Sequence, residues 1–449
     1  MHKAAFGVLL SVCLASSALA RDASDDPFLA YESGQYAEAA RAAEDALARD
    51  PDNSVWWALL GEARAKLDQH ADAAEAFFNA AKNETDAERR SYFLRAQALQ
   101  LVSAGRRDEA RVVAGSALAD DALEARSSLD WAMVAISAGD DAAAQAILSD
   151  EALYSGFSRQ SALDAGYSAK REGLDARAVR FFEIGLALDA DEPEPLLPAK
   201  RNAIRRETRE LSRDWAFLLQ AGYSSADRPI GPVSLPLGND EAWQVGAEVS
   251  RRIGGWRNGR PVSVFARVFQ SEFLSGDAAI GDTTQGWVGI RYKPIASLNL
   301  NLEASRLMAI DDEALDDWSL RALVSGGRGL EPETGKRNWT YAHYYADASY
   351  LLDADVTYAV AEGRFGRSFL IDGDATTLTP YAVARAGLDT GRIEEEAIGA
   401  GAGLSLRHWF DETETSAARG FIDFDIQARE RIAGSARASG VMVTMTIGR

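Results

Sequence analysis

The hydrophobic period of this chain changes once, near Trp215, and that change limits the folds open to it more than any single motif does. Upstream, apolar residues recur at the interval of helices that bury one face. Downstream they alternate with polar ones. In "SLNLNLEASRL", Leu298, Leu300, Leu302 and Ala304 fall on one side of an extended chain, and Asn299, Asn301, Glu303 and Ser305 on the other. A helical region followed by a run of half-apolar strands is predicted. Whether the leucine side meets a protein core or lipid decides what the second half is.

The helical half, residues 26–190, is rich in Ala, Leu, Glu and Arg and repeats itself. Ala39 and Ala73 are 34 residues apart, and Ala110, Ala144 and Ala178 follow at 34 and 34, with a step of 37 between Ala73 and Ala110. Gly105, Gly139 and Gly173 each lie five residues before one of these alanines. A 34-residue period is that of tetratricopeptide helix pairs, and about five copies fit. In "WWALLGEARAKLDQHADAAEAFFNAA", small residues at Gly61, Ala73 and Ala80 let paired helices approach, while Trp57 and Phe77 fill the remaining space. Such a solenoid offers a concave binding surface and no chemistry of its own. A helical spacer would show the same pattern.

Residues 191–213 form a linker with a basic helix, carrying Lys200, Arg201, Arg205, Arg206, Arg209 and Arg213 in an otherwise acidic chain. It can hold anionic lipid head groups, hold the acidic rim of the next domain, or simply connect.

From 214 to 449 the period is two. Val262, Val264, Ala266 and Val268 oppose Ser263, Phe265, Arg267 and Phe269. Val288, Ile290 and Tyr292 oppose Trp287, Gly289 and Arg291, and Ile422, Phe424 and Ile426 oppose Asp423, Asp425 and Gln427. About twelve such strands are marked, each about 9–11 residues long, with no helix left to cover an apolar sheet face. Together with aromatics near strand ends, this predicts an antiparallel transmembrane β-barrel whose leucines face lipid. Trp215, Tyr223, Trp243, Trp256, Trp287, Tyr292, Trp318, Trp339, Tyr341, Tyr345 and Trp409 are the girdle candidates. Long and short connections alternate until "SGGRGLEPETGKRNW", a long segment on the side where short turns are expected. The fold class is thus α + β multidomain, a tetratricopeptide-like α-solenoid followed by a barrel.

Residues 1–20, "MHKAAFGVLLSVCLASSALA", read as a signal peptide, with Lys3 in the n-region and Ala18-Leu19-Ala20 as the cleavage site. The single cysteine, Cys13, lies inside it and follows Val12, not the small residue that lipoprotein processing needs. Past the leader no apolar run reaches the length of a spanning helix. The formal charge of −20 argues against nucleic acid as a partner.

No catalytic residue, cofactor or metal site is predicted. His70, His343 and His408 have no ligand spacing, and "DDEALDD", Asp311–Asp317, lacks the order of a calcium loop. Gly399, Gly401 and Gly403 alternate along a strand and thin one face where something approaches. The residues that matter are charges on the polar faces. Glu248, Arg267, Arg291, Glu303, Arg321, Asp347, Asp423, Asp425 and Arg429 are predicted to project into the lumen. They line a polar conduit for a hydrophilic polymer, or they close a small barrel with internal salt bridges.

The strands "WVGIRYKPIASLNLNLEASRLMAI", "RNWTYAHYYADASYLL", "EGRFGRSFLI", "GLSLRHWF" and "GFIDFDIQARERI" resemble the C-terminal domain of the bacteriophage adsorption protein A family. The layout is also similar to tetratricopeptide-repeat outer-membrane exporters of exopolysaccharide. The resemblance implies placement in the outer membrane with an N-terminal periplasmic domain, and a part in exopolysaccharide secretion. It further implies partners among synthesis or export proteins and a hydrophilic glycan, with phage using the barrel as a receptor. A barrel that only anchors the repeats as a periplasmic scaffold is the alternative.

Overall fold

The computed structural model describes residues 26–225, 242–273, 283–310, 314–373 and 375–449. The predicted leader at 1–20 and the loop 226–241 lie outside these. The chain forms two compact units that divide between Glu172 and Gly173.

The first unit is helical, with α1 (Pro27–Glu32), α2 (Tyr36–Leu47), α3 (Ser54–Lys66), α4 (His70–Asn83), α5 (Ala87–Ser103), α6 (Arg107–Ala119), α7 (Leu129–Ala138), α8 (Asp141–Ile147) and α9 (Arg159–Arg171). Side-chain caps start several of them. Asn53 accepts from Val55 N and Trp56 N, Asp86 from Arg89 N and Asp140 from Ala143 N, satisfying amides that a helix leaves open. The repeat alanines Ala39, Ala73, Ala110, Ala144 and Ala178 are all at 0% exposure, so each marks a position sealed inside the helix packing.

The backbone repeats as strictly as the alanines do. Gly105, Gly139 and Gly173 have φ of +77°, +78° and +73°. The two earlier copies keep this left-handed turn five residues before the alanine, at Gly34 (φ +84°) and Asp68 (φ +58°). Asp68 hides the period from a search for glycine, because aspartate also tolerates this region.

Gly61 on α3 lies under the ring of Phe77 on α4, where a Cβ would come within 3.0 Å of the ring carbons. Trp57 packs beside it and donates from Nε1 to Pro51 O at 2.7 Å. Successive repeats are tied by polar contacts about thirty residues apart, such as Ser54 Oγ to Glu84 at 2.9 Å and the pair Arg90–Asp120. Glu62 accepts from Tyr92 at 2.8 Å and from Tyr31 at 3.4 Å. Burial, then the charge of Glu62, pushes the Tyr92 hydroxyl well above its ordinary pKa. Burial opposes ionisation of Asp141, yet two hydrogen bonds from Arg171, at 2.6 and 2.7 Å, hold its carboxyl below the ordinary value.

The second unit holds α10 (Asp175–Leu188), α11 (Pro198–Ser212) and twelve strands. These are β1 (Trp215–Ser224), β2 (Ala242–Ile253), β3 (Val262–Phe273), β4 (Thr283–Tyr292), β5 (Asn299–Ala309), β6 (Asp317–Arg328), β7 (Asn338–Leu351), β8 (Val356–Asp372), β9 (Thr376–Asp389), β10 (Glu396–Phe410), β11 (Gly420–Gly434) and β12 (Gly440–Gly448). All pair antiparallel with their sequence neighbours, and β1 pairs with β12 (Tyr223 opposite Val443), closing the barrel. Strands β7 to β11 run 14–17 residues, longer than the expected 9–11. The unit begins at Gly173, upstream of the composition boundary at 190, because α10 packs on α11 and Asp175 accepts from Trp256 N in the β2–β3 turn at 2.6 Å.

Outside, the wall is apolar. Leu302, Val264, Val288, Leu320, Phe365 and Phe424 each leave 42–66% of their surface uncovered. Among the described residues of this unit no packed layer covers these faces, so a lipid-facing band is the setting in which they are stable. Leu302 lies in β5 with this outer set, whereas Leu298 falls in the turn just before it.

Phe77→Ala should cost the helical unit about 3–5 kcal/mol. Thermal loss of the helical circular-dichroism signal should therefore move to lower temperature, while the strand signal stays in place.

Candidate functional site

Because side chains alternate along a strand, an apolar outer face fixes which residues enter the barrel. The nine predicted lumen residues all lie on the inner side, on the faces opposite the exposed apolar ones. They do not stand apart along a water-filled wall. Glu248 accepts from Arg267 at 3.0 and 2.6 Å and from Arg291 at 2.9 and 3.1 Å, and Arg291 Nε donates to Glu303 at 2.6 Å. Glu303 also lies 3.5 Å from Arg267 and 3.7 Å from Arg321. Arg321 donates to both oxygens of Asp347, which accepts from Tyr345 OH at 2.8 Å. Arg267 is sandwiched between Phe265 and Trp287, 4.9 and 4.6 Å from their ring centres. This network spans the inner face of β2 through β7.

A second network covers β8 through β11. Arg364 donates to Glu362 at 2.6 Å and to Asp425 at 3.0 Å, Tyr381 OH donates to Asp425 at 2.7 Å, and Arg385 lies 3.8 Å from Glu362. Asp423 accepts from Ser405 at 2.7 Å and from Arg407 at 3.1 Å. Arg429 is buried on the same inner face of β11. Sequence reading missed Glu362, Arg364, Tyr381, Arg385 and Arg407. The signal was present in "EGRFGRSFL", where Glu362 and Arg364 alternate with Phe365, but Gly363 and Arg367 on the outer side dilute the apolar pattern. The strand glycines gain a partner here: a Cβ at Gly403 would collide with the Tyr381 ring, so the face is thinned to admit Tyr381.

The end of the barrel away from β1's first residue, here the far end, is filled differently. Phe269, Trp287, Leu307 and Leu351 form an apolar cluster there, with Leu315 and Tyr358 against it. Gln285 pins the β5–β6 loop over it by bonds to Leu315 N at 2.9 Å and Leu315 O at 2.7 Å. Asp317 is a fastener as well, accepting from Asp353 N at 2.8 Å and Ala354 N at 3.0 Å in the β7–β8 turn. Asp311–Glu313 lie outside the described residues, and no cluster of metal-ligating side chains occurs among the described ones.

At the near end, α11 crosses the mouth. It runs straight into β1 at its C-terminus. Earlier along its length, Arg206 and Arg209 pair with Glu331 at 2.8 and 3.0 Å, and Asn202 meets Thr334 at 3.1 Å. Glu331 and Thr334 belong to the β6–β7 turn, about half-way round the ring from β1. On one flank, Arg205 pairs with Glu412 and bonds Thr413 O and Ser416 O in the β10–β11 turn, and Arg209 bonds Ala418 O at 3.3 Å. With the α10 contact, the grips fall on the β2–β3, β6–β7 and β10–β11 turns, each four strands from the next. Twelve strands at ordinary spacing and tilt make a barrel about 24 Å across, and the 15 residues of α11 are about 22 Å long. Of the readings open for the basic helix, the structure shows it holding the acidic rim. The long segment at 329–337 is therefore a long near-end turn, and it is long because it grips α11.

The girdle expectation needs correction. Trp215, Tyr223, Trp243, Tyr292 and Trp318 face outward near strand ends. Trp287, Trp339, Tyr341, Tyr345 and Trp409 share the phase of the inner charges and point inward instead, and Trp256 lies in the β2–β3 turn over Arg252.

Residues 276–445 match the family model of the bacteriophage N adsorption protein A C-terminal domain. Residues 30–98 match that of the tetratricopeptide repeat. No curated protein matches the chain. Among solved structures, an outer membrane channel from Pseudomonas putida F1 is 9% identical, covering 53% of this chain and 94% of its own at a TM-score of 0.30. A bacterial polysaccharide outer membrane secretin is 10% identical, over 52% of this chain and 97% of its own, at 0.26. The protein MamA is 19% identical, over 38% of this chain and 98% of its own, at 0.31. The chain is a helical region with tetratricopeptide repeats joined to a closed twelve-strand β-barrel.

Glu303 is the carboxylate shared by three arginines. Replacing it by Gln leaves Glu248 and Asp347 to balance three buried arginines, one positive charge in excess, a loss of up to about 3–5 kcal/mol. Glu303→Gln should lower the temperature at which the detergent-solubilised barrel loses its compact migration on unboiled gels.

Proposed function

We propose that this protein is the outer-membrane component of an exopolysaccharide secretion machine. The repeats lie in the periplasm, where they bind synthesis or export proteins or guide the nascent glycan, and the barrel passes the glycan outward without any covalent step. The observation that carries this reading is the inner wall. An apolar filling would serve an anchor as well, yet this barrel spends its middle layer on arginines, carboxylates and tyrosines, groups that hydrogen-bond sugar hydroxyls once their mutual pairs part. The strand likeness to the bacteriophage adsorption family supports the same placement, and its name supports a use of the far-end loops as a phage receptor. At rest the passage is occupied by its own side chains, so export requires the Arg–carboxylate pairs to open.

A second reading is favoured by one specific observation, the burial of those same charges, most at 8% exposure or less. Under it the barrel is a permanently filled anchor that displays the repeats as a scaffold.

A deletion strain should lose extracellular polysaccharide, accumulate it in the periplasm and recover on complementation. Unchanged glycan, in cells expressing the synthesis genes, favours the anchored scaffold. In planar bilayers the double variant Asp423→Ala/Asp425→Ala, which frees Arg407 and leaves Arg364 with Glu362 alone, should alter the conductance of the opened barrel. Conductance equal to that of the parent would remove these residues from the path.

A further inference from the structure

Between α11 and the near-end turns lies a cleft of about 470 Å³, a volume typical of ligand sites. Six cations line it: Arg201, Arg205, Arg206, Arg209, Lys336 and Arg337. Only three carboxylates do, Glu331, Glu333 and Glu412. Counting Asp189, which pairs with Arg201 at 2.7 Å, and Glu210, which pairs with Arg209 at 3.0 Å, the cleft still carries one more positive than negative charge, in a chain whose total is −20. The arginine heads are spoken for at the rim, but not completely. Arg205 Nε and Trp409 Nε1 are shielded from solvent and have no acceptor, while the exposed Arg337 has no ion-pair partner among the described residues. Buried donors without acceptors are rare in folded proteins and mark a missing partner. Leu370 and Trp409, both on inward faces of their strands, line the cleft, so it borders the barrel's interior and not its lipid face.

We propose that this cleft binds a carboxylate-bearing saccharide, which makes the polymer handled at the mouth an acidic glycan. Planar guanidinium groups match carboxylate geometry, and an indole beside them receives the apolar face of a sugar ring. A neutral glycan would leave the surplus cation unanswered, and a small inorganic anion would leave the Trp409 indole unused. The proposal rests on the export reading for its physiological meaning, but the binding itself does not depend on transport.

The test uses the full chain in neutral detergent micelles, with oligogalacturonate as the probe and maltooligosaccharide of equal length as its uncharged control. Calorimetry should show oligogalacturonate binding that weakens with added salt, and no binding of the neutral control. Lys336→Gln/Arg337→Gln, which leaves the Arg205, Arg206 and Arg209 grips in place, should weaken binding by at least about tenfold. Glu333→Gln removes a competing carboxylate and should tighten it, a change that misfolding does not produce. Equal binding of the neutral sugar overturns the proposal, as do parental affinity in both variants or inorganic phosphate binding as well as oligogalacturonate. Loss of secreted glycan in the deletion strain without oligogalacturonate binding overturns the cleft and leaves export standing. Cleft-dependent binding with normal secretion supports the cleft and overturns export.

Discussion

Everything in the second half of the molecule follows from closure of the sheet between β1 and β12. In hydrocarbon an unpaired strand edge would leave a row of backbone N–H and C=O groups without partners, so a spanning sheet has to meet itself. Closure then fixes two surfaces of opposite character. The outer one takes the valines, leucines and phenylalanines. The inner one receives every alternate residue, and twelve strands enclose too much space for backbone alone to fill.

What fills that space is ordered in layers. Aromatic and aliphatic side chains occupy the far end, ion pairs the middle, and α11 bridges the near end. Charges taken from water are costly unless paired and hydrogen-bonded, which explains why each interior arginine with a described partner meets a carboxylate at short range and often an aromatic face as well. Interior arginine suits this better than lysine, because one planar head serves two carboxylates at once, as Arg291 does for Glu248 and Glu303.

Much of this was legible in the sequence, because two periods do most of the specification. The alanines at 34-residue steps located the helix pairs, and alternation placed Glu248, Arg267 and Glu303 inside. The same alternation had already put Trp287 on the face of Arg291; treating aromatics as girdle residues by position along the strand overrode it. The pairing partners could not be read, since Arg364 reaches Asp425 across 61 residues and only closure brings those strands near each other. The grip of α11 was hidden for a related reason. A nine-residue turn looks like a broken alternation until its acceptors, Glu331 and Thr334, are seen to face a basic helix.

The bar that α11 lays across the mouth bears on the shape of anything that threads it. A hole of full width would admit a polymer with side branches, since a branch could fold alongside the backbone within the same opening. A mouth divided by a rigid helix cannot treat the two alike. Main chain and branch must enter on the same side of the bar, or the polymer straddles it and stops. Under the export reading the fold would sort by connectivity, passing linear chains and arresting those whose branches are longer than one window is wide.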